Sequence, residues 1–373
     1  MKVNGIPYRS VWVDEKDGWS VHIIDQTRLP FSFNVRRLTT AADVAQAICT
    51  MQVRGAPLIG AVAAYGIALA LRVDSEDKTL NDTAAMLMNT RPTAVNLHHA
   101  IQRMVDYLRP IPPHQRAHAA YEEAARICEE DIQTNKAIGT YGLDILQEIA
   151  HKKHHVHEPL HILTHCNAGW LATVDYGTAL SPIYMAHDAG LNVHVWVDET
   201  RPRNQGASLT AWELQSHGVP HTVITDNAGG HLMQHKHVDI IIVGADRVTR
   251  TGNVDNKIGT YLKALAAHDN AVPFWVALPS TTIDWTISDG LKDIPIEERS
   301  SIEVTHVTGR NAQGLITQVC VVPEKTKVAN PAFDVTPAHL ITGLITEKGC
   351  CAATSKGMLS LFPEMKEYYS DSL

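Results

Sequence analysis

Apolar positions follow helical spacing over long stretches before Leu160 and fall into short, separated runs after it. The chain opens extended, with Ser20-Val21-His22-Ile23-Ile24-Asp25 reading as a strand. Thr39-Thr40-Ala41-Ala42-Asp43 then reads as the capped start of a helix through Val44-Ala45-Gln46-Ala47-Ile48. Residues 57–71, PLIGAVAAYGIALAL, are apolar on every face, which predicts a helix enclosed on all sides. Amphipathic patterns follow over 94–108 and 115–150. The His- and Pro-containing stretch 151–159 is taken as the divide between the two parts.

Beyond that divide the runs Leu160–Thr164, Val193–Val197, His221–Ile224, Val238–Val243 and Phe274–Leu278 each end in small or polar residues, and a helical stretch follows. Strands alternating with helices predict a mainly parallel sheet covered on both faces. The predicted fold class is α/β. A mostly helical N-terminal domain with a small β-sheet (1–158) precedes a Rossmann-like C-terminal domain with a mainly parallel sheet (159–373).

Composition narrows the function. The 373 residues are 45% hydrophobic and 19% charged, ordinary for a globular chain, and no apolar run reaches membrane-spanning length. The N-terminus lacks an apolar core of the secretory kind, so no signal peptide is expected. A net charge of −8 argues against a broad nucleic-acid-binding surface. Six cysteines without a CxxC spacing read as free thiols, which fits a reducing cytoplasm. Six of the 21 histidines lie between His151 and His165, but they sit on no recognisable ligand pattern and HExxH is absent. They are read as a solvated linker, and no metal is expected.

Parallel sheets bind ligands at the carboxyl ends of their strands. Those ends here read Thr164-His165-Cys166-Asn167, Asp198-Glu199-Thr200-Arg201-Pro202, Thr225-Asp226-Asn227, Gly244-Ala245-Asp246-Arg247 and Pro279-Ser280-Thr281-Thr282. Cys166 and Asp246 are the groups on this rim best suited to moving protons. A desolvated carboxyl becomes a weaker acid, able to act near neutrality. A thiol beside a helix N-terminus ionises more readily. Elsewhere Arg54-Gly55-Ala56-Pro57 offers backbone amides and a guanidinium to an anion. Arg91-Pro92-Thr93 adds a second arginine, and Asn256-Lys257-Ile258-Gly259-Thr260 adds a lysine and further helix-terminal amides. Such groups suit a phosphate-bearing, hydroxyl-rich ligand. Neither GxGxxG nor GxxxxGK[ST] occurs.

The segments RGAP (54–57), RPTAVNL (91–97), THCNAG (164–169), ETRPRNQGASLTAWEL (199–214), GADRV (244–248) and NKIGT (256–260) together resemble the methylthioribose-1-phosphate isomerases. That family is related to regulatory subunits of the exchange factor for translation initiation and to ribose-1,5-bisphosphate isomerases. The resemblance covers roughly residues 5–345. It implies an aldose–ketose isomerase that converts 5-methylthioribose 1-phosphate to 5-methylthioribulose 1-phosphate in methionine salvage, with no cofactor, as a cytoplasmic homodimer. By the same resemblance Asp246 is the acid/base for ring opening and Cys166 assists transfer at carbon. Arg54, Gly55, Ala56, Arg91, Gln205, Asn256 and Lys257 hold the substrate. The competing readings are an isomerase of 5-deoxyribose 1-phosphate and a non-catalytic sensing subunit on the same fold.

Overall fold

A computed structural model describes residues 1–153 and 158–372. Its first strands are a short ladder, β1 (Lys2–Val3) with β2 (Ile6–Pro7), and an antiparallel sheet of β3 (Val11–Val13), β4 (Val21–Ile24) and β5 (Val35–Leu38). The helices α1 (Ala41–Cys49), α2 (Ala56–Val73), α3 (Asp77–Met88), α4 (Val95–Leu108) and α5 (Pro113–Lys152) follow. Thr40 and Asp43 start α1 as a reciprocal capping box. Pro57 sits in the first turn of α2, where its missing N–H costs nothing. As the all-round apolar pattern predicts, α2 is buried along nearly its whole length. It is apolar enough to cross a membrane by composition, yet it is the centre of the N-terminal core, packed against α1, α3, α4 and α5. The helix α3 begins at Asp77, in a stretch without apolar periodicity.

The helix α5 spans 40 residues, about 60 Å at 1.5 Å per residue. Ala119, Ala120, Ala124 and Cys128 lie in the N-terminal core. Ile138 and Leu146, further along the same helix, lie in a second core under the large sheet.

Strands and helices then alternate: β6 (Leu160–Thr164), α6 (Ser181–Asp188), β7 (Val193–Asp198), α7 (Ala211–His217), β8 (His221–Ile224), α8 (Ala228–Gln234) and β9 (Ile240–Val243). After them come β10 (Arg247–Thr249), β11 (Val254–Lys257), α9 (Thr260–Asp269), β12 (Phe274–Ala277) and β13 (Ile283–Asp284). The C-terminal stretch holds α10 (Gly290–Asp293), α11 (Ile302–Thr305), β14 (His306–Arg310), β15 (Ile316–Cys320), β16 (Phe333–Thr336), β17 (Gly343–Thr346), β18 (Gly349–Cys351) and α12 (Ser355–Leu361).

Among the described residues the large sheet runs β18-β17-β12-β9-β6-β7-β8, parallel except for β18. All five predicted strands are in it. The chain steps outward from β6 to β7 and β8, then returns to the other side of β6 as β9. The β6/β9 junction is therefore a topological switch point, where a crevice opens above the strand ends. A second sheet, β13-β10-β11-β16, grows from the end of β9. Its strand β11, Val-Asp-Asn-Lys, is buried at all four positions, so a hydrophobicity pattern does not reveal it.

Candidate active site

Cys166 lies two residues beyond β6 and Asp246 three beyond β9, on either side of the switch point. Both line one cavity, together with Arg54, Gly55, Ala56 and Asn256. Gly55, Ala56 and Asp246 also line a neighbouring recess that holds Arg91 and Asp255. On its other side Arg54 faces a larger cavity of about 450 Å³, which Gln205 also lines. The structure thus brings eight of the nine residues singled out from sequence onto one connected crevice. Lys257 stands beside it, with Nζ donating to the Ala332 carbonyl at 2.9 Å and lying 4.3 Å from the centre of the Phe333 ring.

The backbone at Cys166 has φ +67°, an uncommon conformation for a residue with a side chain. Such a residue costs about 1–3 kcal/mol and persists only where its surroundings fix it. Here they do. The Cys166 N–H donates to Thr200 Oγ1 at 2.8 Å, and the Thr210 hydroxyl donates to the Cys166 carbonyl at 2.7 Å. Thr200 has φ +64°, and Asp226 holds it by accepting from the Thr200 and Arg201 amides, each at 2.7 Å. Gly55, at φ +93°, shows a different need. A Cβ there would lie 2.4 Å from the Ala172 carbonyl oxygen, so only glycine lets the start of α2 approach the sheet domain.

Charge in the crevice is mixed. Burial pushes the Asp246 carboxyl above the ordinary carboxylate range, the direction expected from its strand-end position, while Lys257, Arg91 and Arg54 oppose the shift. Burial likewise pushes the Cys166 thiol up, with Arg54 and Lys257 pulling it down. That reverses the sequence expectation: desolvation outweighs the nearby cations, so Cys166 is held as the thiol. Lys257 is a weaker base than usual because it is buried, although Cys166 and Asp246 favour its charge. Asp255 is buried behind Asp246. Burial and then the charge of Asp246 hold its carboxyl well above the usual range, and its Oδ1 has no partner among the described residues.

Two further expectations need correction. The amides at the start of α9 are not open to a ligand, because Asp334 accepts from Gly259 N–H at 2.7 Å and Tyr261 N–H at 3.1 Å. Nor are all the histidines from His151 to His165 linker. His151 ends α5, His161 is in β6, and residues 154–157 lie outside the described residues. His165 is buried beside Cys166. Its Nδ1 is 2.8 Å from Asp198 Oδ2 and its Nε2 is 2.8 Å from the Ile258 carbonyl. The ring is thus held between a carboxylate and a backbone carbonyl. His165, Asp198 and Asp226 converge as metal ligands would, but the Lys263 ammonium already sits there, 3.2 Å from Asp198 and donating to the Asp226 carbonyl.

Sequence reasoning passed over the groups that hold these side chains. Arg91 is fixed by Glu297 at 2.7 Å. Arg54 is fixed by Asn167, through Nη1 to Oδ1 at 2.5 Å and Nη2 to the carbonyl at 2.8 Å. Asn167 was within a recognised motif. Glu297 lies in an irregular segment with no signal at all.

The profile of the Initiation factor 2 subunit family matches residues 52–353. The chain is similar to the methylthioribose-1-phosphate isomerase of Acidiphilium cryptum, 63% identical over 364 residues that cover 98% of each chain. It is 61% identical to that of Gluconobacter oxydans, covering 98% of this chain and 99% of that one. Among solved structures it resembles the 5-methylthioribose 1-phosphate isomerase from Pyrococcus horikoshii OT3 at a TM-score of 0.82, 38% identical and covering 96% of each. It also resembles the translation initiation factor eIF-2B subunit delta from A. fulgidus, with a TM-score of 0.79, 38% identity, and coverage of 96% of this chain and 100% of that one.

Proposed function

This chain belongs to the methylthioribose-1-phosphate isomerases of the Initiation factor 2 subunit family, and we propose from that membership how its crevice carries out the reaction. It is an aldose–ketose isomerase that converts 5-methylthioribose 1-phosphate to 5-methylthioribulose 1-phosphate, a step of methionine salvage. The observation that carries the mechanistic reading is the pair Cys166 and Asp246 in one cavity at the switch point.

The chemistry is an internal redox change with no net loss of atoms. Phosphate on C1 blocks the ordinary opening of the sugar ring to a free aldehyde. Opening therefore requires a proton on the ring oxygen as the C1–O bond breaks. Asp246, whose hold on a proton burial strengthens, supplies it and then takes the hydroxyl proton from C2. Hydrogen must also pass from C2 to C1, and the Cys166 thiol assists at these carbons. Arg54 and Arg91 face the substrate's phosphate from two sides, with the Gly55 and Ala56 amides at the N-terminus of α2 between them. Gln205, Asn256 and Lys257 hold the sugar hydroxyls.

The wide cavity beside Arg54 and Gln205 is lined in part by Leu29, Phe31, Met51, Leu209, Ile302 and Val307. These apolar walls suit the 5-methylthio group better than the hydrogen of a 5-deoxy sugar. One heavy substituent in an apolar pocket is worth about 1–3 kcal/mol, roughly 10–200-fold. Comparing kcat/KM for the two sugar phosphates tests the assignment, and a preference for the 5-deoxy compound would overturn it.

The same reading places the enzyme in the cytoplasm as a homodimer acting on a small sugar phosphate, not on nucleic acid or a membrane. Tyr261, Leu262 and Leu265 expose an apolar row on α9 that supports self-association. Light scattering on the purified protein decides between monomer and dimer.

A further inference from the structure

We propose that Glu213 is a positioning residue that sets the phosphate-binding geometry of Arg54 through the side-chain amide of Asn167. Glu213, on α7, is fully buried, and its carboxylate accepts four hydrogen bonds. Oε1 takes Asn167 Nδ2 at 2.8 Å and the Leu171 N–H at 3.1 Å. Oε2 takes the Trp170 N–H at 2.9 Å and the Tyr184 hydroxyl at 2.7 Å.

A carboxylate only accepts, so it decides which end of the Asn167 amide faces it. With Nδ2 turned to Glu213 and to the Thr210 hydroxyl at 3.2 Å, Oδ1 is left facing Arg54. Reversing the amide would set its NH₂ against the guanidinium and its oxygen against the carboxylate. Glu213 therefore acts across Asn167 as a polarity lock, although it lines none of the three parts of the crevice itself. The fit is close: a Cβ on Gly169 would lie 1.9 Å from Glu213 Oε2, so the loop that follows Cys166 lies directly on the carboxylate. The same loop donates the Trp170 and Leu171 amides. One buried carboxyl thus touches both the loop at Trp170 and Leu171 and the amide that faces the Arg54 guanidinium.

The inference rests on the reading of Arg54 as a phosphate contact, and the experiment separates the two. Glu213→Gln keeps the shape but sets an NH₂ against a backbone N–H, that of Leu171 on one side or of Trp170 on the other, whichever way it lies. Its KM for the sugar phosphate should rise at least tenfold with kcat changed less than threefold. Asn167→Ala removes the relay, leaves the carboxylate its bonds to the Trp170 and Leu171 amides and the Tyr184 hydroxyl, and should give the same split. Combined with Arg54→Ala, neither change should raise KM further, because the guanidinium they orient is gone. Circular dichroism and thermal melts establish that each variant is folded, and Asn167→Ala carries the test if Glu213→Gln is not. Additive effects on KM in the double variants would show that Glu213 acts by general stability, and the relay would be overturned. An unchanged KM in Arg54→Ala alone would instead overturn the phosphate assignment.

Discussion

At the scale of single residues the crevice is organised by desolvation more than by formal charge. Cys166 and Asp246 are both shifted toward their protonated forms by burial, against the pull of Arg54 and Lys257. Cys166→Ser and Asp246→Asn should each lower kcat by about 10²–10⁴-fold, the range for losing a positioned proton-transfer group, with the fold intact. Near-native turnover in either purified variant would remove that residue from the mechanism. Asp255 makes a subtler prediction. Asp246 is faced by Cys166, Lys257, Arg91, Arg54 and Glu297, and Asp255 by Asp246, Arg247, Asp334 and Lys257. Two buried carboxyls this close resist losing both protons. Of the two, Asp255 is the one that the other's charge holds protonated, so it is neutral while Asp246 titrates. Asp255→Asn should therefore leave the pH profile of kcat/KM in place, and a shifted limb would show that Asp255 carries charge when Asp246 acts.

At the scale of elements, the apolar runs revealed the five parallel strands and the buried α2: α2, β6, β9 and β12 are packed into the cores, while β8 is an edge strand with no buried residue. They did not reveal β11, whose Asp255, Asn256 and Lys257 are buried toward the crevice, nor the short strands β10 and β13 that pair beside it. Elements built to present polar groups read as loops. The site followed the same division. Residues in the recognised motifs converge on the crevice, whereas Glu297 comes from a segment without any pattern, and Glu213 lies inside the segment 199–214 without being singled out there. Asp131, within α5, shows what such burial does to stability. Its carboxyl accepts from the Val174 N–H at 2.7 Å, and burial pushes its pKa to about 7. In the unfolded chain it titrates near 3.8, as an ordinary aspartate does. The folded state therefore favours the neutral acid, and this contribution, complete below the unfolded value, is lost as pH rises through about 7. Asp131→Asn should match the native Tm at pH 4 and exceed it increasingly toward pH 8. A Tm difference independent of pH would refute this account.

At the scale of the whole molecule, the site exists only where two cores meet. The start of α2 carries Arg54, Gly55 and Ala56 out of the N-terminal core, and the strand ends of the large sheet carry Cys166 and Asp246. The seam is closed by polar bonds: Gln26 Nε2 to the Leu171 carbonyl at 2.7 Å, Ser10 Oγ to the Trp170 carbonyl at 2.8 Å, and Asn96 Nδ2 to Thr281 Oγ1 at 2.9 Å. Thr281, beyond the end of β12, thus takes part in docking the two cores. Asn96→Ala leaves every crevice side chain in place but removes the last of these bonds. It should lower Tm by roughly 1–2 °C, since a buried hydrogen bond to a polar partner is worth about 1 kcal/mol and a chain this long has a large unfolding entropy. An unchanged melt would show that the seam does not depend on it.

The helix α5 is a shared possession of both cores, with Cys128 committed to one and Leu146 to the other. Neither half can melt without stripping apolar surface from a helix the other half still needs, so calorimetry should record one peak for the whole chain. The same bond shapes what evolution can do with the gene. A recombination event that moved the sheet-bearing half alone would carry off a core missing its covering helix, so these two parts can be inherited only together.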